Sequence, residues 1–377
     1  MRVVARDGGN EVGIPSISVP GGDEPDTLVG MSEFVITRRE GRMQHIVLDR
    51  PKALNSLDLP MCHALHAALD EVAGDSAVEA VVISSTSEKA FCAGGDIRAL
   101  RDAAAAGEHE TNRTFFSEEY AMNLAYHTHP APTVAVIHGV AMGGGLGISI
   151  NGSHRVVTKK VMMAMPETAI GFIPDVGASH FLPRLCGGGE RGVAVAIYLG
   201  TTGVRLNSAD ALFTGLGTHL IDNDDRGAFV AAIGADGLDA ALERFGRDRS
   251  EAGESAVEAN IDRIVDVFSR GTAQEMIAAL EAGEQDQWAT ATLEMFRSHC
   301  PTSIVATIEL LRAGAKAADL RECLDNELAL GGWITARPDF VEGVRAVVID
   351  KDRNPSWDPA ELDAVDVDAI RSALAGA

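Results

Sequence analysis

Apolar and β-branched residues are concentrated in two short runs near the start of the chain, 34–37 and 43–49, separated by Glu40-Gly41. That pattern predicts a strand pair with a tight turn. From Leu59 to Val72 the apolar positions recur at helical spacing, so a helix is expected there. Ala80–Ser84 is a short β-branched strand, followed by Lys89-Ala90-Phe91-Cys92-Ala93-Gly94-Gly95-Asp96-Ile97, a strand running through a glycine turn into a helix. The same design returns where the strand Thr133–Ile137 enters His138-Gly139-Val140-Ala141-Met142-Gly143-Gly144-Gly145-Leu146-Gly147. Repeated strand–turn–helix units predict an α/β fold in which ligands gather at the carboxyl ends of strands. Beyond about Asp222 the strand signals fade, and helices are expected over 237–245, 254–268, 272–280, 304–313 and 320–330. The expected organisation is a disordered extension over 1–32, an α/β core over 33–230, and a C-terminal helical region over 231–377 packed on that core.

The second glycine run carries chemical meaning. Consecutive glycines let the backbone approach a ligand and point free N–H groups at it, and a helix starting there favours developing negative charge. Shortly afterwards, Met165-Pro166-Glu167-Thr168-Ala169-Ile170-Gly171-Phe172-Ile173-Pro174-Asp175 places two carboxylates in an otherwise apolar stretch. Acidic groups in apolar surroundings are costly unless paired or working. An anion-stabilising turn near two isolated carboxyls points to addition to, or hydrolysis of, a carbonyl compound.

Composition narrows the partners. The 55 acidic and 32 basic side chains give a formal net charge of -23, which opposes binding to nucleic acid or to an anionic membrane surface. The five cysteines, Cys62, Cys92, Cys186, Cys300 and Cys323, form no C-x-x-C pair. This usage argues for a reducing compartment, read here as the cytoplasm or an equivalent reducing compartment and not a secreted location, and against a zinc site or disulfide framework. No apolar run approaches the roughly 20 residues of a membrane-spanning helix. Residues 1–30 lack an apolar segment of the secretory kind and read as a tail or as an extension upstream of a start at Met31. His63 and His66 lie three apart on the first helix with no third ligand nearby, so a solvated face is expected rather than a metal site. Cys92 has no evident His partner and is expected to be a packed thiol.

Arg50-Pro51-Lys52-Ala53-Leu54-Asn55, Ala90–Ile97 and Gly139–Gly145 together resemble the crotonase (enoyl-CoA hydratase/isomerase) superfamily, with the same motifs in the same order. The resemblance implies a fold of repeated ββα units, a coenzyme A thioester substrate, no separate cofactor or metal, and homo-oligomeric assembly through the core. It also implies an oxyanion hole from the backbone N–H groups of Gly95 and Gly144, with Ala53, Ala93, Asp96 and Ile97 near the substrate. The hydratases of that superfamily use two glutamates to handle water. One of those positions is Glu167 here, but the other is Gly147, and Asp175 stands where hydratases carry glycine.

With Glu118-Glu119 inside Phe115–Tyr120, with Phe181-Leu182-Pro183-Arg184-Leu185, and with the segment from Glu342 to Asp352, the chain resembles the branch that hydrolyses 3-hydroxyisobutyryl-CoA in valine breakdown. That branch implies Glu167 as nucleophile or general base, Asp175 as the group positioning water or tuning Glu167, and Glu119 as acceptor for the substrate hydroxyl. Trp333, Phe340, Arg345 and Lys351 are candidates for closing the pocket. Enoyl-CoA hydration or isomerisation and noncatalytic acyl-CoA binding are the alternatives.

Overall fold

The computed structural model describes residues 32–283 and 286–376. The expected extension over 1–32 thus falls, apart from Ser32, outside the described residues. Ten strands run in the order β1 Val35–Glu40, β2 Met43–Leu48, β3 Ala80–Ser85, β4 Ala90–Cys92, β5 Thr133–Ile137, β6 Val140–Met142, β7 His154–Thr158, β8 Met162–Ala164, β9 His219–Ile221 and β10 Gly246–Arg247 among the described residues. They form a seven-stranded sheet, β1-β2-β3-β5-β7-β9-β10, and a three-stranded one, β4-β6-β8. In the larger sheet β2, β3, β5, β7 and β9 are parallel neighbours, and the antiparallel edges β1 and β10 close the ends. The small sheet is parallel throughout.

The central strands are buried on both faces, which is why they read as continuous β-branched runs rather than as alternation. Val82, Val134, Val136 and Val156 pack under Phe229, Ile233 and Phe245 of the helices Arg226–Asp236 and Leu238–Phe245. Ile46, Val81, Ile83, Ala135 and Ile137 face the main core on the other side. That core takes in α1 (Leu59–Asp70), α2 (Ile97–Ala105), α3 (His109–Thr128) and α4 (Gly144–Ile150), and continues into the helices Pro301–Gly314 and Leu320–Thr335. Asp58 caps α1 by accepting from the Met61 amide at 2.9 Å. The helix expected over 254–268 is two, Ala256–Ala259 and Ile261–Phe268, because Asn260 breaks from helical geometry and donates its side-chain amide to the Ala256 carbonyl at 2.8 Å. No helix among the described residues is long and apolar enough to cross a membrane.

Candidate active site

Two glycine turns meet where β4 and β6 end side by side. The 50–57 segment braces the first: Leu57 donates to the Gly94 carbonyl at 2.8 Å, Asp96 donates to that of Leu57 at 2.8 Å, and Ala93 donates to that of Leu54 at 3.0 Å. Asn55, fully buried, donates to the Phe91 carbonyl at 2.9 Å, and Arg50 holds Asp96 at 3.0 Å. Gly94 and Gly143 sit at φ +106° and +47°, values that only glycine adopts without strain. Gly144 opens α4, so its N–H has no intrahelical acceptor. The Gly95 amide donates to no backbone acceptor among the described residues. The two glycines face each other closely: a Cβ on Gly144 would lie 3.3 Å from the Gly95 nitrogen and 2.5 Å from Glu119 Oε1.

Three carboxyls converge beside these turns. Glu119 comes from the middle of α3, Glu167 opens the short 3₁₀ turn Glu167–Ile170, and Asp175 follows Pro174 in the next loop. Their exposures are 2%, 7% and 4%, against a half-buried Glu118 that turns outward to pair with His63. Burial raises the Glu119 and Glu167 carboxyls well above the ordinary range, and the charge of Asp175 pushes both further up. Burial lifts Asp175 to about 7, while the Tyr120 hydroxyl, donating to Oδ2 at 2.7 Å, opposes the rise. Glu119 Oε1 and Glu167 Oε2 have no hydrogen-bond partner among the described residues. Acceptors orphaned at nearly complete burial are what a bound substrate with a hydroxyl, or a water, would satisfy.

The carboxyls open into a cavity of about 260 Å³ with mostly apolar walls. Ala93, Gly95, Ile97, Glu119, Gly144, Glu167 and Asp175 line it; Ala53 and Asp96 do not, and Asp96 instead serves as the partner of Arg50. Of the expected pocket-closing residues, Phe340 is buried against Phe172, and Trp333 lies under the Arg337 guanidinium. Arg345 spans Glu342, Asp350 and Asp352 in a surface ion cluster. Lys351 is exposed and does not line the cavity. The closing wall comes from Val347 and Val348 in the π-helical turn Arg345–Ile349, where Arg98 donates to the Val348 carbonyl at 2.8 Å. An ion cluster thus holds the strap and two valines face the cavity, a division of labour that charged and aromatic residues alone did not signal.

Two supporting groups were not visible in the sequence. His299, kept neutral by burial that lowers it to about 4, bridges the Thr168 hydroxyl at 2.8 Å and the Thr201 carbonyl at 2.9 Å, behind the Glu167 turn. Glu327 accepts from the Gly177 amide at 2.7 Å, behind Asp175. Cys92 is fully buried, donates its thiol to the Asn55 carbonyl at 3.0 Å and is pushed up to about 12, a packed thiol. His66 pairs with Asp70 on the face of α1. No group of three or more His, Cys, Asp or Glu side chains placed to hold a metal ion occurs among the described residues.

A family model described as enoyl-CoA hydratase/isomerase matches residues 43–374. The chain belongs to the enoyl-CoA hydratase/isomerase family. Family relatives include the 3-hydroxyisobutyryl-CoA hydrolase, mitochondrial, of Dictyostelium discoideum, 35% identical over 90% of this chain and 91% of that protein. The human protein of the same name is 36% identical over 89% and 86%. Among solved members, a carnitinyl-CoA dehydratase from Mycobacterium thermoresistibile superposes with a TM-score of 0.83 at 33% identity, covering 91% of this chain and 96% of that one. An enoyl-CoA hydratase from Rhodobacter sphaeroides gives 0.82 at 36% identity over 91% and 97%. The crotonase-like fold expected from the motifs is therefore the fold of this chain. The relatives are named as mitochondrial proteins, which overturns the cytoplasmic expectation. Free cysteines report reducing conditions and do not tell one reducing compartment from another.

Proposed function

We propose that this chain hydrolyses the thioester of 3-hydroxyisobutyryl-CoA, or of a closely similar 3-hydroxyacyl-CoA, to the free hydroxy acid and coenzyme A. The observation that carries the reading is the convergence of Glu119, Glu167 and Asp175 on one small apolar cavity beside the paired amides of Gly95 and Gly144. The hydrolase names of the relatives point the same way. In this reading the thioester oxygen sits against the two amides, which stabilise the charge it gains in the transition state. Glu167 then acts in one of two ways. As nucleophile, its carboxylate bonds to the acyl carbon, the C–S bond breaks, the thiolate leaves and takes up a proton, and water cleaves the mixed anhydride. As base, it takes a proton from a water whose oxygen bonds to the acyl carbon directly; the C–S bond breaks, and the thiolate leaves and takes up that proton. Asp175 orients the attacking water and, in the anhydride route, takes the proton that this water gives up. Glu119 accepts the hydrogen bond of the substrate hydroxyl, so an acyl group lacking the hydroxyl leaves a buried acceptor unpaired and binds poorly.

Hydration of an enoyl-CoA is the second reading, favoured by the names of the solved neighbours. Gly147, where a hydratase would carry its second carboxylate, weighs against it. A panel of acyl-CoAs assayed for thiol release with wild type and Glu167→Gln decides between them. Thiol release that prefers 3-hydroxyacyl-CoAs and is lost in the variant supports hydrolysis. Rapid hydration of crotonyl-CoA with thiol release at the spontaneous rate reverses the order. Product labelling from isotopic water in a single turnover separates the anhydride route from direct attack.

A further inference from the structure

The loop that carries Asp175 is held in an unusual shape by a side chain from far along the chain. Glu327, fully buried on the Leu320–Thr335 helix, accepts at Oε2 from the Gly177 amide at 2.7 Å. Its Oε1 accepts from the Ser179 amide at 2.9 Å and from the Ser179 hydroxyl at 2.5 Å. All three partners donate, so both carboxyl oxygens are used as acceptors. Between Asp175 and this clamp, Val176 sits at φ +57°, the left-handed region that a β-branched residue avoids. Such a conformation persists only where the surroundings over-determine it. A second tie is Asn151, whose side-chain amide donates at 2.9 Å both to the Val176 carbonyl and to that of Gly147. The Val176 side chain is thereby pressed onto α4: a Cβ on Gly147 would lie 2.7 Å from Val176 Cβ. The neighbouring residue Asp175 turns the other way, into the cavity and onto Tyr120.

We propose that Glu327 is a positioning residue that commits this site to hydrolysis. By fixing Gly177 and Ser179 it forces Val176 into the left-handed region. That one backbone setting aims Asp175 at the substrate and fills, with the valine, the space in which a second water-handling carboxylate at position 147 would stand. Glu327 itself lines no part of the cavity and acts only through the loop. The proposal rests on the hydrolase reading above and deepens it.

The test uses the full chain and begins with thiol release by wild type. In Glu327→Gln one acceptor oxygen becomes an amide that donates, and one end of the clamp opens. The expected result is native circular dichroism, a kcat lower by about a hundredfold, as for small displacements of a working group, and a KM within about twofold of wild type. Glu327→Gln/Val176→Gly should recover most of that loss, because glycine takes a positive φ without being forced. A kcat in Glu327→Gln equal to wild type overturns the proposal. So does a loss that Val176→Gly leaves unrestored in a natively folded protein. If Glu327→Gln does not fold, Ser179→Ala takes its place, removing only the hydroxyl bond. It should lower kcat with KM unchanged, and an unchanged kcat overturns the proposal. A wild type that releases no thiol from any acyl-CoA refutes the hydrolase reading, and the clamp's role with it, whereas an active wild type with an indifferent Glu327 refutes the clamp alone.

Discussion

Asp175 shows at a single residue how burial couples stability to function. Its carboxyl is raised from 3.8 to about 7, so between those pH values the folded protein holds a proton that the unfolded chain releases. Stability from this group is fully present below the unfolded value and is lost as pH rises through about 7. Asp175→Asn keeps an acceptor for Tyr120 and removes the buried charge. It should therefore raise the melting temperature at pH 8, by an amount equivalent to at most about 4 kcal/mol, with little change near pH 4; thermal melts at the two pH values test this. Activity runs in the opposite direction. If Asp175 must be ionised to handle water, thiol release rises with pH through about 7, and a flat profile over that range would remove it from the chemistry. Glu167→Gln should cost at least about a hundredfold in kcat, the lower end for a general base. Gly147→Glu should not create a hydratase: its Cβ would press on Val176, and we expect a loss of about 1–3 kcal/mol of stability with no hydration of crotonyl-CoA. The residues of the loop were legible because Glu167 and Asp175 stand in an apolar stretch. Glu119 was set apart from Glu118 by the family resemblance, and its burial on α3 beside an outward-turned Glu118 gives the physical reason. Glu327 gave no signal, because its partners lie 148 and 150 residues earlier and a Glu in a helix that also carries Glu322 and Asp325 reads as solvated.

The turn Glu167–Ile170 brings one of the three carboxyls to the cavity, and its position depends on a helix that a reading limited to the core would leave out. Pro338–Val344 lies against this turn so closely that a Cβ on Gly343 would come within 2.3 Å of the Ile170 carbonyl carbon. Gly343→Ala must push the helix and turn apart. We expect about 1–3 kcal/mol of destabilisation together with a fall in kcat, read by chemical denaturation and thiol release on the same preparation. The strap that follows works differently. Arg345 gathers Glu342, Asp350 and Asp352, and so holds Val347 and Val348 over the cavity. Arg345→Ala should raise KM and spare kcat, because it loosens a wall without moving the carboxyls; an equal fall in kcat would place the strap in the chemistry. The strand–turn–helix units were readable because parallel strands are apolar on both faces and their glycine turns are unmistakable. Of the three-residue strands, β4 was readable from the glycine turn that ends it, whereas β6 and β8 are too short for any period to register, yet the small sheet they form brings the two glycine turns together.

At the scale of the whole molecule, the question is whether the glycine turns beside the cavity and the C-terminal helices form one cooperative body. A single apolar cluster runs from Val35 on the first strand to Ile370 near the end of the described chain. Glu327, Gly343 and Val348 all reach back from the last third of the sequence to residues around the cavity. An arrangement of this kind predicts that the site cannot form before those helices dock, and that neither part loosens alone. The sequence supplies a convenient probe, since all three tryptophans, Trp288, Trp333 and Trp357, belong to the C-terminal part. Tryptophan fluorescence therefore follows docking of that part, far-ultraviolet circular dichroism follows the whole chain, and thiol release follows the site. We expect the three denaturant transitions to coincide. A fluorescence transition preceding the circular dichroism one, with activity lost in step with fluorescence, would mean that the C-terminal helices are a separable cover. A fluorescence transition that leaves activity intact would show that the core holds the site unaided, and that Glu327 and the valine strap matter less than their contacts imply.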